Sequence, residues 1–340
     1  MKSLLYIALC AIAISCSREG ITDLPLIEEN LETQYNSIDL DNYLAKPVID
    51  VPEGTLFYQN IPYGENQRQV IDLFLPKNFS VLASFEPLGI VLNIHGGGFM
   101  AGDKGVIYQN ENDIYQYLEN NIAFISMNYR FIEEDNPDSL GVLKCFNDSE
   151  RVLSFIQYLS NLVNISPNNI FIKGESSGAG IAQYLIANPV FSSRITGVSL
   201  NAPQSTYDFL KFNKIFQEFN FDLYQYVSLA NLENRVINFY GGSQIEQLED
   251  DPIIVNNRVE VSLSKTFNTY EGTLRIKAGN EGIPYNSLGN LNELLHHQIH
   301  AIQIYNKAVN AGLFVDAQIP YLNIESNLTE LEFILESINQ

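Results

Sequence analysis

The feature that most constrains the fold is an alternation running from about residue 55 to the C-terminus. Short β-rich runs are separated by longer segments with helical character. Eight such runs can be read: "TLFYQNI", "QVIDLFLP", "GIVLNIHG", "AFISMNYRF", "IFIKGES", "ITGVSLNAP", "TLRIKAGN" and "FVDAQIPYL". Several are continuously apolar rather than alternating, as expected of strands covered on both faces. Between them lie "DIYQYLENN", "NDSERVLSFIQYLSNLV", "GAGIAQYLIAN" and "LNELLHHQIHAIQIYNKAVNAG", the last stopped by Gly312. Strand and helix in regular succession predict an α/β domain with a mainly parallel sheet flanked by helices. The exception is residues 206–268, an aromatic-rich insertion between the sixth and seventh runs. It reads equally as a lid over a pocket or as additional core helix.

The N-terminus stands outside this pattern. "MKSLLYIALCAIAISC" has a basic Lys2, an apolar run from Leu4 to Ile14 and small residues before Cys16, the grammar of an export signal. The run is shorter than the roughly 20 residues a membrane span needs. "AISC" resembles a bacterial lipobox, which implies lipidation of Cys16 and a protein exported to the bacterial cell envelope, touching the membrane only through that anchor. Residues 17–50 are acidic without a sustained apolar period and read as a tether, leaving 51–340 as the folded domain. With Cys10 and Cys16 in the targeting segment, Cys145 is the lone cysteine of the domain and reads as a small buried hydrophobe. The formal charge of −21 repels phosphate backbones and excludes nucleic acid as an expected partner.

Two motifs carry chemistry. Gly174-Glu175-Ser176-Ser177-Gly178 satisfies G-x-S-x-G and lies between the strand "NIFIKG" and the helix "GAGIAQYLI". In that setting a tight turn lifts the Ser176 hydroxyl clear of the sheet. "IHGGGFMAGDK" follows another strand, and its glycines free backbone N–H groups to point at a developing oxyanion. The expected donors are Gly97, Gly98 and the N–H of Ser177, with His95 a structural hydrogen-bonding residue rather than a base.

With both motifs in this order, the chain resembles an α/β-hydrolase of the carboxylesterase type. Within that class it is most similar to the bacterial feruloyl and acetyl-xylan esterase-like (BD-FAE-like) domains. The resemblance implies an α/β-hydrolase fold with an eight-stranded sheet. It also implies hydrolysis of a carboxylic ester, small or polysaccharide-linked, through an acyl-serine intermediate that needs no metal or organic cofactor. It further implies an acid after the seventh strand, which is Glu281 here, and a histidine after the eighth. The acidic cluster Glu249, Asp250 and Asp251 reads instead as a solvated loop.

The histidine is where the pattern fails. The four histidines are residues 95, 296, 297 and 300, and Ser326 or Asn327 stands about where the base belongs. Glu325 is a weak substitute, since an ordinary glutamate pKa of about 4.3 makes it a feeble base toward a hydroxyl. Read as one continuous helix, 291–309 buries Leu291, Leu295, Ile299, Ile302 and Val309 and turns all three remaining histidines toward the polar side. His296, nearest the buried stripe, is the candidate replacement. His296 and His300 are one turn apart but lack the Glu and third ligand of a zinc motif. Two functions therefore stay open: a serine esterase using His296, or a pseudo-hydrolase that keeps the pocket and binds an apolar or carbohydrate-linked ligand.

Overall fold

A computed structural model describes Tyr35 and residues 38–77, 87–133, 138–279, 288 and 290–339. Nine strands form one sheet: β1 (Leu44–Ala45), β2 (Leu56–Pro62), β3 (Val70–Leu75), β4 (Gly89–Ile94), β5 (Ile122–Met127), β6 (Ile170–Glu175), β7 (Ile195–Asn201), β8 (Thr273–Lys277) and β9 (Val315–Gln318). Their order across the sheet is β1-β2-β3-β5-β4-β6-β7-β8-β9. The first three junctions are antiparallel and the rest parallel. All eight runs read from the sequence are strands.

The continuous apolar runs are explained by helices on both faces. In β4, Ile90, Leu92 and Ile94 point into one core with Val152, Phe155 and Ile156 of α2 (Leu143–Leu162) and with Ile181 and Leu185 of α3 (Ser177–Ala187). Val91 points the other way, into a second core. That core also holds Tyr117 of α1 (Glu111–Glu119) and Phe333 of the helix Glu330–Ile338. Every residue of β4 and β5 is buried, so the side-chain period of two is hidden in runs that are almost wholly apolar, their polar exceptions Asn93 and Ser126 bonded to each other.

Two expectations change at the N-terminal side. The sheet has a ninth strand, because Leu44 and Ala45 pair with Tyr58 and Phe57 of β2. The segment read as a tether is also partly docked. Tyr35 is buried against Phe155 and Tyr158, and its hydroxyl donates to the Tyr63 carbonyl at 2.8 Å. One aromatic anchor and a two-residue edge strand leave no periodicity to read. The acidic cluster is not a loop either: Glu249 and Asp250 lie in the helix Gln247–Asp250, and Asp251 caps the helix Pro252–Glu260 by accepting from the Ile253 and Ile254 N–H groups. Cys145 is buried and free, as expected.

The helix read across 291–309 is two helices, α4 (Leu291–Leu295) and α5 (Gln298–Asn310). Between them His297 is extended, with φ −61° and ψ 139°, and its ring accepts the Ile299 N–H as the cap of α5. The break rotates α5 away from the single wheel. His297 and His300 are therefore buried, while Val309 is exposed. His300 sits among Phe212 and Phe216 of the insertion. Its Nδ1 faces the Ser205 N–H at 3.3 Å, and its Nε2 is buried with no partner.

Burial depresses the His300 pKa from about 6.5 to about 3. The unfolded chain takes up a proton below about pH 6.5 while the folded site stays neutral. The contribution to stability is thus complete above the unfolded pKa and is lost as pH falls toward the folded one. Thermal unfolding of His300→Leu should consequently depend less steeply on pH between 7 and 4 than that of the wild type; equal slopes would show that His300 is not held neutral.

Candidate active site

The parallel register sets β4 and β6 side by side, with Ile94 opposite Gly174. The two motifs that leave these strands therefore emerge next to each other. Ser176 occupies the turn into α3 with φ 50° and ψ −114°, a conformation that L-residues seldom adopt. It is held there by its N–H donating to the Asn201 carbonyl at 2.9 Å. Its own carbonyl accepts from the Gly180 N–H and the Tyr207 hydroxyl, both at 3.2 Å. The turn tolerates only glycine at 178, where a Cβ would lie 2.1 Å from the Ile94 carbonyl oxygen.

The glycine run is shaped by positive φ at Gly97 (118°) and Gly98 (62°), which glycine alone adopts readily. The Gly97 carbonyl is occupied by the Met100 and Ala101 N–H groups. Tyr129 ties the run to the elbow: its hydroxyl donates to the His95 carbonyl at 3.0 Å and lies 3.2 Å from Ser177 Oγ. His95 itself is buried, stacked on the Tyr129 ring and bonded through Nδ1 to the Gly96 carbonyl at 2.6 Å. Burial lowers its pKa to about 4, so it is a neutral structural residue.

His296, expected on an exposed face, is half-buried and faces the elbow. Its Nε2 lies 2.7 Å from Ser176 Oγ. On the other side of the ring, Nδ1 is 2.9 Å from the Asn292 carbonyl. A carbonyl can only accept, so Nδ1 carries the proton and Nε2 presents a lone pair to the serine hydroxyl. The ring is held by its position at the C-cap of α4, where its N–H also bonds the Asn292 carbonyl. The Gln204 amide, which donates to the Leu295 carbonyl at 2.9 Å, fixes the preceding residue. Nothing in "LLHHQIH" announces the helix break, since it holds neither glycine nor proline. That is why a helical wheel misplaces His296.

Glu281 lies outside the described residues. Gly279, two residues before it, rests against His296: a Cβ there would be 3.0 Å from the His296 carbonyl oxygen and 3.1 Å from its Cβ. Ser326 and Asn327, where a base was sought, instead hold the C-terminal loop by donating to Asp316. Cys16 also lies outside the described residues.

Ser176, His296, Gly97 and Gly98 line one open cleft of about 890 Å³, together with Glu175 and Arg235. A smaller apolar pocket of about 80 Å³ opens beside Ser176, walled by Phe99, Met100, Tyr207, Phe209, Val236 and Phe239. The last four belong to the insertion, which is therefore partly a wall of the pocket. Its Phe212 and Phe216 form a separate small core with Leu294 and Ile299. Arg235 was not foreseen as a site residue, because a lone arginine on a short helix carries no sequence signal. Among the described residues no group of three His, Cys, Asp or Glu stands together as a metal site would need. Nor is any helix there long and apolar enough to cross a membrane.

A serine on a strained strand-to-helix turn, beside a glycine run and an imidazole on this sheet topology, defines an esterase-like α/β-hydrolase. The BD-FAE family model matches residues 71–268, more than half of the chain, and the protein belongs to that family. No curated protein matches the sequence. Among solved structures, an inhibited esterase B from Lactobacillus rhamnosis is similar, with 14% identity over 86% of this chain and 88% of that one and a TM-score of 0.54. A bifunctional GH43-CE protein from Bacteroides eggerthii matches at 15% identity over 83% of this chain and 37% of that one, TM-score 0.53. A truncated carbohydrate esterase from gut microbiota matches at 13% identity over 85% and 99%, TM-score 0.50. These likenesses show the fold.

Burial lowers the His296 pKa, while the Asn292 carbonyl and the charge of Glu175 pull it upward. Glu175→Gln should therefore move the His296 titration, followed by NMR of the ring, to still lower pH. An upward movement would contradict this electrostatic account of the site.

Proposed function

We propose that the protein is a serine carboxylic-ester hydrolase in which Ser176 is the nucleophile and His296 the general base. The contact of 2.7 Å between Ser176 Oγ and His296 Nε2 carries the reading. It also answers the observation that favoured a pseudo-hydrolase, namely the absence of a histidine after the last strand.

In the proposed reaction Ser176 Oγ attacks the ester carbonyl carbon as its proton passes to His296 Nε2. The N–H groups of Gly97, Gly98 and Ser177 receive the oxyanion. Collapse breaks the bond to the alcohol, which leaves with the proton from His296. Water then attacks the acyl carbonyl carbon as one of its protons passes to His296 Nε2; collapse breaks the bond to Ser176 Oγ, which takes that proton back as the acid leaves. Glu281 is the proposed acid that stabilises the imidazolium. The Asn292 carbonyl, which only accepts, already fixes the tautomer.

The two cavities support a division of the substrate. The apolar pocket beside Ser176 has room for an acyl group of only a few heavy atoms. The open cleft lies within the range of sites for whole small molecules and suits a larger, polar alcohol. A short-chain ester of a carbohydrate fits both, and carbohydrate esterases are among the structures with this fold. With Cys16 as a lipid anchor, the enzyme would act at the bacterial cell envelope.

Turnover of p-nitrophenyl acetate should fall on the order of 10⁴- to 10⁶-fold in kcat in Ser176→Ala and His296→Ala alike, the scale seen when a triad serine or histidine is lost. Turnover that survives His296→Ala would remove it as the base, and no serine-dependent turnover in the wild type would restore the pseudo-hydrolase reading. Glu281→Gln should cost up to about 10⁴-fold in kcat if the carboxylate supports the imidazolium. An unchanged rate would leave that task to the Asn292 carbonyl.

A further inference from the structure

A second cavity, of about 420 Å³, shares no lining residue with either pocket at Ser176. It lies where the insertion meets α5, and Lys211, Lys214 and Lys307 all line it. The chain has only nineteen Lys and Arg against forty Asp and Glu, and among the described residues no acidic one lines this cavity. Asp208, which reaches Lys211, is buried and divided between two cations: it pairs with Arg258 at 2.8 Å and with Lys211 only at 4.0 Å. We propose that this cavity is a binding site for a small organic anion, whose oxyanion group meets the three lysines and whose apolar body rests against Ile215, Leu263, Phe267 and Ile304.

The donors for such a group are present. Lys307 Nζ donates to the Leu263 carbonyl at 2.9 Å and the Ser264 carbonyl at 3.0 Å, which orients the ammonium and leaves its third N–H for a ligand. The Ser205 hydroxyl donates to Gln303 Oε1 at 2.9 Å, so the N–H groups of the Gln303 amide remain for another acceptor. Burial and the charge of Lys211 both lower the Lys307 pKa, so the two ammonium groups repel each other across the cavity. A bound anion relieves that repulsion. The protein's net negative charge disfavours anions over its surface as a whole, which makes a local concentration of lysines around a partly apolar cavity the more selective.

The test is isothermal titration calorimetry of the full chain at a constant ionic strength of about 0.15 M, with sodium phosphate, sodium sulfate and sodium benzoate as probes. Saturable one-to-one binding of at least one probe is expected. It should weaken about tenfold or more in Lys211→Gln/Lys214→Gln and in Lys307→Met, as loss of charge-assisted hydrogen bonds implies. Lys77→Gln, which alters a lysine paired with Glu119 elsewhere on the surface, should bind as the wild type does. The exposed Lys211 and Lys214 can be changed without disturbing the core, so the double variant keeps the test valid if Lys307→Met fails to fold. Absence of saturable binding for all three probes, or equal binding by the folded double variant, overturns the proposal.

Discussion

The close approach of two strand exits is the constraint on which the site depends. β4 and β6 run parallel and adjacent, so the glycine run after one and the serine turn after the other must share a few ångströms of space. Gly178 permits this, since any side chain there would strike the Ile94 carbonyl. Tyr129 then locks the two turns together from below, with one hydroxyl serving both the His95 carbonyl and Ser177. Strain at Ser176 is tolerated because its flanking amides are bonded on each side, to Asn201 and from Gly180 and Tyr207. A residue in such a conformation persists only where its surroundings over-determine it.

The histidine reaches this turn by a different route from the one the family pattern implies. Instead of a loop after the last strand, a five-residue helix ends at His296, and the ring takes its hydrogen-bond partner from the helix's own Asn292 carbonyl. The loop after β9 has a structural occupation, because Ser326 and Asn327 both bond Asp316, which is also paired with Arg275. The loop after β9 is thus held by structural contacts, and the imidazole beside Ser176 comes from the end of α4.

The insertion serves three neighbourhoods at once. Phe209, Val236 and Phe239 wall the small pocket at Ser176, Phe212 and Phe216 enclose His300, and Lys211 and Lys214 border the second cavity. Its aromatic content, conspicuous in the sequence, is divided between the wall of the pocket beside Ser176 and a secondary core, a division that composition alone does not reveal.

Much of this architecture is local in origin and could be read from the chain. The strands follow from apolar runs, the elbow from a pentapeptide between strand and helix, and the tight loop after β4 from three glycines following a strand. Each depends on residues within a few positions of one another. What the tertiary structure decided are the features built by distant partners. Tyr35 is buried because Phe155 and Tyr158 receive it. The helix breaks at His297 with no glycine or proline to mark it, and the His297 ring caps the second helix by accepting the Ile299 N–H. From that break follows the pairing of His296 with Ser176, 120 residues apart. Local pattern fixes which elements form, whereas which polar groups meet is settled only when separate elements are packed and each buried donor must find its acceptor.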